Sequence, residues 1–481
     1  MSRAPRPPVG GPGRGGHGAA ASPSRRDLLR LLNGPTWSGR VRRWALHAPA
    51  RALAGAVPDA AIAIPARDER ERIGACLDAC AASIRASGLR VRTLVLVNGS
   101  RDDTAARALD WSRRRRLPVT VIEVDFDDAL AHAGAARRLA LELAAHGAPR
   151  TTALLATDAD ARPEPGWVGA NVAHLDAGAA LVCGRIAIEP REAVRLPARL
   201  DALGALEARW RRAALELEHL VDPDPWNPWP HHGGAHGASL ALAAGTLADL
   251  GGVPLVPAGE DRALLRRARA RGLRAVHADD VEVAVSARVR GRAKGGMADA
   301  IRRRIEERDP PCDEGVERVA TLHARLLARA ALRTAWTERA RRLPTLCAAL
   351  ATARPDRPTP GRDALAPLVR IDAFDRAWDR IENDHLAPGR ERLRFSELGG
   401  ELAALETRLE TARAAAAATR RACGAPSGPP GAASPGAAPS GTIAPLGRAG
   451  DPARRSPTRP PRTRAPRPRV ARDAPVTGER P

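Results

Sequence analysis

The stretch that decides the fold is Ala153-Leu-Leu-Ala-Thr157-Asp-Ala-Asp160-Ala-Arg-Pro163. Four small or apolar residues, bounded by a polar and proline-containing turn, predict a short strand buried on both faces. The acidic pair directly behind it leaves the carboxyl end of that strand, the edge where open α/β sheets bind ligands. Two carboxylates one residue apart can aim at one point, and hard oxygen donors suit Mg²⁺ or Mn²⁺ bridging a diphosphate. Taken alone, Asp-x-Asp also fits an ordinary turn or helix cap.

Working outward, similar runs occur at Ala61-Ile-Ala-Ile, Thr93-Leu-Val-Leu-Val, Val119-Thr-Val-Ile-Glu-Val and Ala180-Leu-Val-Cys. Helix candidates lie between them at Glu69 to Ala86, Asp103 to Arg115, His132 to His146 and Gly166 to Leu175. Alternating strands and helices of this kind predict one doubly wound α/β domain with a parallel-rich sheet. A long amphipathic stretch, Glu192 to Leu220, leads into a Pro, Trp and His loop, and a second strand, helix and strand block runs from Gly237 to Ser286.

Beyond Met297, Val316, Val319, Leu322, Leu326 and Leu327 recur at helical spacing, as do Leu402, Leu405 and Leu409. This predicts a helical appendage over 298–423, broken near Pro355 to Pro360. Residues 1–25 and 424–481 are Gly, Pro, Arg and Ala without periodicity and are expected to be disordered. The segment 26–58 reads as a helical lead-in, and 59–297 as the main domain. No internal repeat is visible.

The 481 residues carry a net charge of +22. Such an excess points toward nucleic acid or anionic surfaces. Here the basic residues are almost all arginine, Lys294 being the only lysine, and much of the excess lies in the tails, so nucleic acid is not the expected partner. Six dispersed cysteines make neither a disulfide framework nor a zinc pattern, which fits a reducing cytosol. Cys76 and Cys80 share a helix face and read as two buried small residues. Ser24-Arg-Arg lacks the apolar stretch of an export signal, and no run approaches the length needed to cross a bilayer. A cytoplasmic location is expected.

Other chemistry-bearing elements sit at predicted strand ends. Ala63-Ile-Pro65-Ala66-Arg67-Asp-Glu69 opens a helix; Arg67 can reach a phosphate or base, and Glu69 suits the helix start. Val97-Asn98-Gly-Ser100-Arg-Asp-Asp-Thr follows the second strand, where Asn98 and Ser100 can hydrogen-bond a nucleobase or ribose, or form an Asx turn. With Gly134-Ala-Ala-Arg137 and Asp158-Ala-Asp160, these motifs, in this order, resemble glycosyltransferase family 2 of the soluble bacterial type, the inverting nucleotide-sugar enzymes of GT-A fold. The resemblance covers about half of the chain.

That resemblance implies a nucleotide pocket lined by Pro65, Ala66, Arg67, Glu69, Asn98 and Ser100. Asn98 stands where the family commonly has an aspartate. Gly134 and Arg137 would lie near the donor, Asp158 would face the ribose or diphosphate, and Asp160 would bind the metal directly, as Mg²⁺ or Mn²⁺. Gly259-Glu260-Asp261 resembles the acceptor motif, with Asp261 as general base and Glu260 in support. The implied reaction moves a hexose from a UDP- or GDP-sugar to the hydroxyl of a glycan, lipid or small-molecule acceptor.

Some elements stay open between roles. Trp226, Trp229, His231, His232 and His236 could wall the acceptor, pack on the preceding helix or, for the histidines, hold zinc. Arg288 or Arg292, in the basic Gly-rich segment from Ser286 to Met297, could fold over the diphosphate, and His277 could complete the metal shell. Sugar-1-phosphate nucleotidyl transfer would need a Gly-rich loop with Arg and Lys after the first strand, which is absent. A non-catalytic nucleotide- or RNA-binding adaptor of the same fold is the alternative class.

Overall fold

A computed structural model describes residues 24–47, 57–291, 295–338, 341–355, 358–386, 392–422 and 477–478. The chain divides into a unit of Met1–Arg413 with Pro475–Pro481 and a second unit, Ala414–Ala474, of which only the end of one helix is described. The strands are β1 (Val41–His47), β2 (Ala60–Ala66), β3 (Val91–Asn98), β4 (Val119–Phe126), β5 (Ala153–Ala156), β6 (Arg162–Pro163), β7 (Leu181–Ile188), β8 (Leu240–Ala243), β9 (Ala275–Val285) and β10 (Thr477–Gly478). They form one mixed sheet in the order β10-β1-β4-β3-β2-β5-β8-β7-β9-β6. Strands β4, β3, β2 and β5 run parallel, while β8 is antiparallel to both of its neighbours.

Successive side chains point to opposite faces of a strand, and both faces here are buried. Ala61, Ala63, Leu94, Leu96, Leu154 and Ala156 belong to one core layer, and Ala60, Ile62, Ile64, Val95, Val97 and Leu155 to the other. Helices α1 (Arg25–Leu32), α4 (Ala133–Ala145), α8 (Ala244–Asp249) and α9 (Glu260–Ala270) cover the first layer. Helices α2 (Ile73–Ser87), α3 (Thr104–Arg115) and α5 (Trp167–Asp176) cover the second. The expected α/β class with a doubly wound mixed sheet is therefore what the chain adopts. Ala63 pairs with Ala156 and Ala66 with Val97, so the loops after β2, β3 and β5 emerge along one rim.

Several boundaries differ from the sequence reading. The lead-in at 26–58 is not wholly helical: after α1 it forms β1, which pairs antiparallel with β4 as Trp44 and Leu46 pack on the first layer. Helix α2 begins at Ile73 and not at Glu69, because Asp68 takes a positive φ of 52° and residues 67–72 make a turn. The stretch Glu192 to Leu220 splits at Pro197 into α6 (Pro190–Ala193) and α7 (Ala198–Val221). The expected tails at 1–25 and 424–481 lie outside the described residues apart from 24–25 and 477–478.

The carboxyl-terminal helices are α10 (Met297–Glu306), α11 (Val319–Thr337), α12 (Leu343–Ala353), α13 (Arg362–Leu365), α14 (Phe374–Ile381) and α15 (Phe395–Ala422). Up to Arg413 they share a compact unit with the sheet, so no break falls at 297/298. Trp210 and Leu217 of α7 pack with Leu322 and Leu326 of α11 and with Leu398, Leu402, Leu405 and Leu409 of α15. At the end of α7, Asp222 is almost wholly buried between Arg329, at 2.7 Å, and Arg333. Removing one partner of a buried pair strands the remaining charge. Asp222→Ala is expected to cost about 3–5 kcal/mol, read as a lower urea midpoint with the slope of the transition unchanged.

Candidate active site

The turns after β2 and β3 are tied together by backbone donors. Asp68 N–H donates to Ser100 Oγ at 2.9 Å, Glu69 N–H to Thr104 Oγ1 at 2.7 Å and Arg101 N–H to Asp68 Oδ1 at 2.7 Å. Asp68, Glu69, Arg70, Arg101 and Asp102 line an open cleft of about 300 Å³ here. Asn98 and Ala66 are buried at the strand ends, Pro65 is half-buried, and Arg67 donates to the Ala131 carbonyl at 3.3 Å. The predicted nucleotide-pocket residues thus share the rim. Ser100 accepts this bond from the neighbouring turn, and the Asx-type turn before α3 that the sequence offered as the alternative is made by Asp102, whose Oδ1 accepts from Thr104 N–H at 3.0 Å.

Arg137 is the hub of the site. Its guanidinium is buried and donates from Nη2 to Asp158 Oδ1 at 2.9 Å, from Nε to Glu260 Oε1 at 2.9 Å and from Nη1 to the Gly237 carbonyl at 2.7 Å. Burial opposes its charge, but Asp158 and Glu260 more than offset this and leave its pKa above the usual arginine value. Gly134 explains how α4 comes close enough: a Cβ there would lie 2.6 Å from the Val256 carbonyl oxygen, a clash with backbone. One turn later, Arg137 meets the start of α9. A Cβ at Gly237 would lie 2.3 Å from Arg137 Nη2, so a side chain there would displace the guanidinium from its three acceptors.

Asp160 lies 3.0 Å from Arg288 Nη2, while Nη1 of the same guanidinium bonds Glu69. Burial raises the Asp160 carboxyl above its usual range against the pull of Arg288, and the charge of Asp158 raises it further. Two acids that repel each other at a solvent-reachable rim form a donor set that a divalent cation relieves. Among the described residues no three His, Cys, Asp or Glu side chains gather to hold a metal. Mg²⁺-type sites, however, use one or two carboxylates with substrate phosphates completing the shell, and Asp158 and Asp160 fit that pattern. Below them, Cys76 Sγ donates to the Asp158 carbonyl at 3.3 Å, and its hydrogen bond with Cys80 and its burial hold the thiol well above its usual pKa. Both cysteines are buried, as expected.

Among the described residues, the hydrogen bonds to the Asp261 carboxylate come from backbone. Its Oδ2 accepts from Gly237 N–H at 2.9 Å and its Oδ1 from Arg262 N–H at 2.7 Å. The histidines do not converge on it. His277 stacks on His231 and meets His232 edge-on, both with ring centroids 5.3 Å apart. Its Nδ1 bonds the Gly234 carbonyl and its Nε2 lies 3.1 Å from Arg269 Nη2, so both ring nitrogens are engaged away from Asp160. Trp229 lies beside Arg212 of α7, as the packing alternative has it, and Trp226 stacks with Arg274 at the start of β9, level with the beginning of β5 and not with Asp158. Arg292 lies outside the described residues.

Sequence reasoning missed three contributors: Gly237, Thr104 and the Glu69–Arg288 pair, whose partners lie 100, 35 and 219 positions away. No local pattern encodes such pairings. The nearness of Asp158 to the Glu260–Asp261 segment was implied only by the family resemblance, and their linkage through Arg137 was not read from the sequence.

Comparison with known proteins finds likeness over part of the chain. Residues 61–224, about a third of the chain, match the model of glycosyl transferase family 2. This segment contains Arg137, Asp158 and Asp160. No curated protein matches. Among solved structures, similarity is found to a mannosyltransferase from Pyrobaculum calidifontis in complex with GDP-Man and Mn²⁺, at 19% identity and a TM-score of 0.35 over 74% of this chain and 92% of that one. Staphylococcus aureus TarS 1-349 in complex with UDP-GlcNAc is 12% identical, with a TM-score of 0.36 over 69% and 98%. Glucosyl-3-phosphoglycerate synthase from Mycobacterium tuberculosis, with Mn²⁺, UDP-Glc and phosphoglyceric acid, is 20% identical, with a TM-score of 0.30 over 61% and 86%. Among the described residues no helix is long and apolar enough to cross a membrane.

Two outcomes follow from the site's electrostatics. Arg137→Gln leaves Glu260 buried without its cation and is expected to destabilise the chain by about 3–5 kcal/mol. Arg137→Lys should recover only part of this, because one ammonium cannot serve three divergent acceptors; denaturant melts of both variants decide the point. The second concerns pH. Burial lowers His232 and His236 from the ordinary 6.5 to about 4. Below about pH 6.5 the unfolded chain binds protons that the folded chain refuses, so stability, complete above that value, falls as pH drops toward about 4. His236→Gln should flatten this slope in urea midpoints measured between pH 7.5 and 4.5.

Proposed function

We propose that the chain is an inverting glycosyltransferase that moves a hexose from a UDP- or GDP-sugar to an acceptor hydroxyl. The observation that carries the reading is the single buried guanidinium of Arg137 holding both Asp158, behind β5, and Glu260, beside Asp261. In this reading the diphosphate-facing Asp158 and the immediate neighbour of the acceptor-facing Asp261 meet on one guanidinium.

In this reading the nucleoside lies along the cleft beside Arg67, Glu69 and Asn98, and the diphosphate faces Asp158 and Asp160. Those two carboxylates would hold Mg²⁺ or Mn²⁺. When bound, such an ion neutralises the charge that builds on the departing diphosphate. Asp261 takes the acceptor hydroxyl proton as the acceptor oxygen attacks the anomeric carbon. The bond from that carbon to the β-phosphate oxygen breaks, the nucleoside diphosphate leaves with the electron pair, and the configuration inverts. Two backbone N–H donors keep the Asp261 carboxylate oriented, and Glu260, committed to Arg137, positions it without taking protons.

The test is a thermal-shift panel of UDP-, GDP- and dTDP-sugars with and without Mn²⁺, since a ligand of the native state raises its melting point. A donor that stabilises only with Mn²⁺ is expected. Asp160→Ala should abolish that metal-dependent shift. Asp261→Asn should keep the shift and lose transfer by about 10²-fold or more; unchanged turnover in this variant rejects Asp261 as base.

A further inference from the structure

Helix α4 opens on a histidine. Capping alone is served at least as well by Asn, Asp, Ser or Thr, whose short side chains reach the free N–H groups of the first turn. His132 caps with one of its two nitrogens: Nδ1 accepts from Ala135 N–H at 3.2 Å. A nitrogen that accepts carries no proton, so the neutral ring bears its hydrogen on Nε2. Burial lowers the pKa of this ring against the upward pull of Glu260, and at pH 7 the neutral form predominates. The ring is half-buried, and among the described residues its Nε2–H finds no acceptor.

The surroundings of the ring belong to the rim. Strand β4 runs parallel to β3, so the turn after β4 and the first residues of α4 lie at the carboxyl edge, where β2 and β3 end at Ala66 and Asn98. Directly before His132, the Ala131 carbonyl accepts from Arg67 of the loop after β2. The point that a Gly134 Cβ would occupy lies 3.3 Å from His132 Nδ1 and 3.3 Å from Glu260 Cβ. The imidazole is therefore bordered by the loop that flanks the cleft and by the first turn of α9. Its cap bond fixes the direction of Nε2–H before any ligand arrives, so little side-chain freedom is lost when an acceptor meets it.

Resting on the nucleotide-sugar reading above, we infer that His132 is a nucleoside-binding residue whose Nε2–H donates to an accepting oxygen on the base or the ribose of the donor. One nitrogen holds the helix and the other recognises the ligand. The ligand supplies the acceptor that the protein itself does not provide.

Two substitutions separate these roles. Asparagine places an accepting oxygen where Nδ1 lies, so His132→Asn keeps the cap and loses the distal donor; glutamine places its amide where Nε2 lies, so His132→Gln does the reverse. The experiment is isothermal titration calorimetry of the full chain with UDP and with GDP, Mn²⁺ present, beside thermal melts of each variant. His132→Asn is expected to melt with wild type and to bind the nucleotide about tenfold more weakly. His132→Gln should melt about 2–4 °C lower and keep its nucleotide affinity within about threefold. Repeating the titrations with the 2′,3′-dideoxy nucleotide locates the oxygen: the asparagine penalty persists for one on the base and disappears for one on the ribose. Equal affinity in wild type and His132→Asn overturns the inference, and so does an equal loss in both variants, which assigns His132 to the cap alone. A wild-type chain that binds neither UDP nor GDP sinks the proposed function itself, and this inference with it.

Discussion

The site depends on one buried positive charge. Arg137 comes from a helix on one face of the sheet, yet its three bonds reach the loop behind β5, the first turn of α9 and the backbone before β8. Taking an arginine out of water is costly unless every donor direction finds an anion or carbonyl. That requirement, more than any propensity, sets where the acid pairs stand. Two glycines make it geometrically feasible: Gly134 lets α4 approach the 256 carbonyl, and Gly237 leaves room for the guanidinium.

Around this centre charges alternate in a short chain: Glu260, Arg137, Asp158, then Asp160, Arg288, Glu69. Each arginine stands between two acids, and at the junction left without one, between Asp158 and Asp160, burial first and then the charge of Asp158 push the Asp160 carboxyl upward. That discontinuity is the electrostatic basis for placing an external cation there.

The parts of this architecture written locally were legible. Ile62 and Ile64, Leu94 to Val97 and Leu154 to Leu155 announce buried strands by composition, and α3 and α4 follow from their polar starts and periodic apolar residues. The acidic residues after β5 and at the start of α9 could be picked out as candidates. What joins them could not: Arg137 to Glu260 spans 123 positions and Arg288 to Glu69 spans 219. The helix start at Ile73 was misplaced because the positive φ of Asp68, a tertiary consequence of its bonds with Ser100 and Arg101, overrides the helix-favouring letters after it. The antiparallel strand β1 escaped notice because Arg42, Arg43 and His47 blur its alternation.

The carboxyl-terminal helices have a consequence beyond their own packing. The loop of tryptophans and histidines begins at Asp222, clamped by Arg329 and Arg333 of α11, and is pinned again where Asn227 bonds the Ala275 carbonyl and the His277 amide. One margin of that loop therefore takes its bearings from the helical sheath and the other from the sheet. A substitution in α11 that shifts the clamp on Asp222 is therefore felt along the loop leading to Gly237, whereas the bonds that join Asp158 and Glu260 to Arg137 stand on other elements.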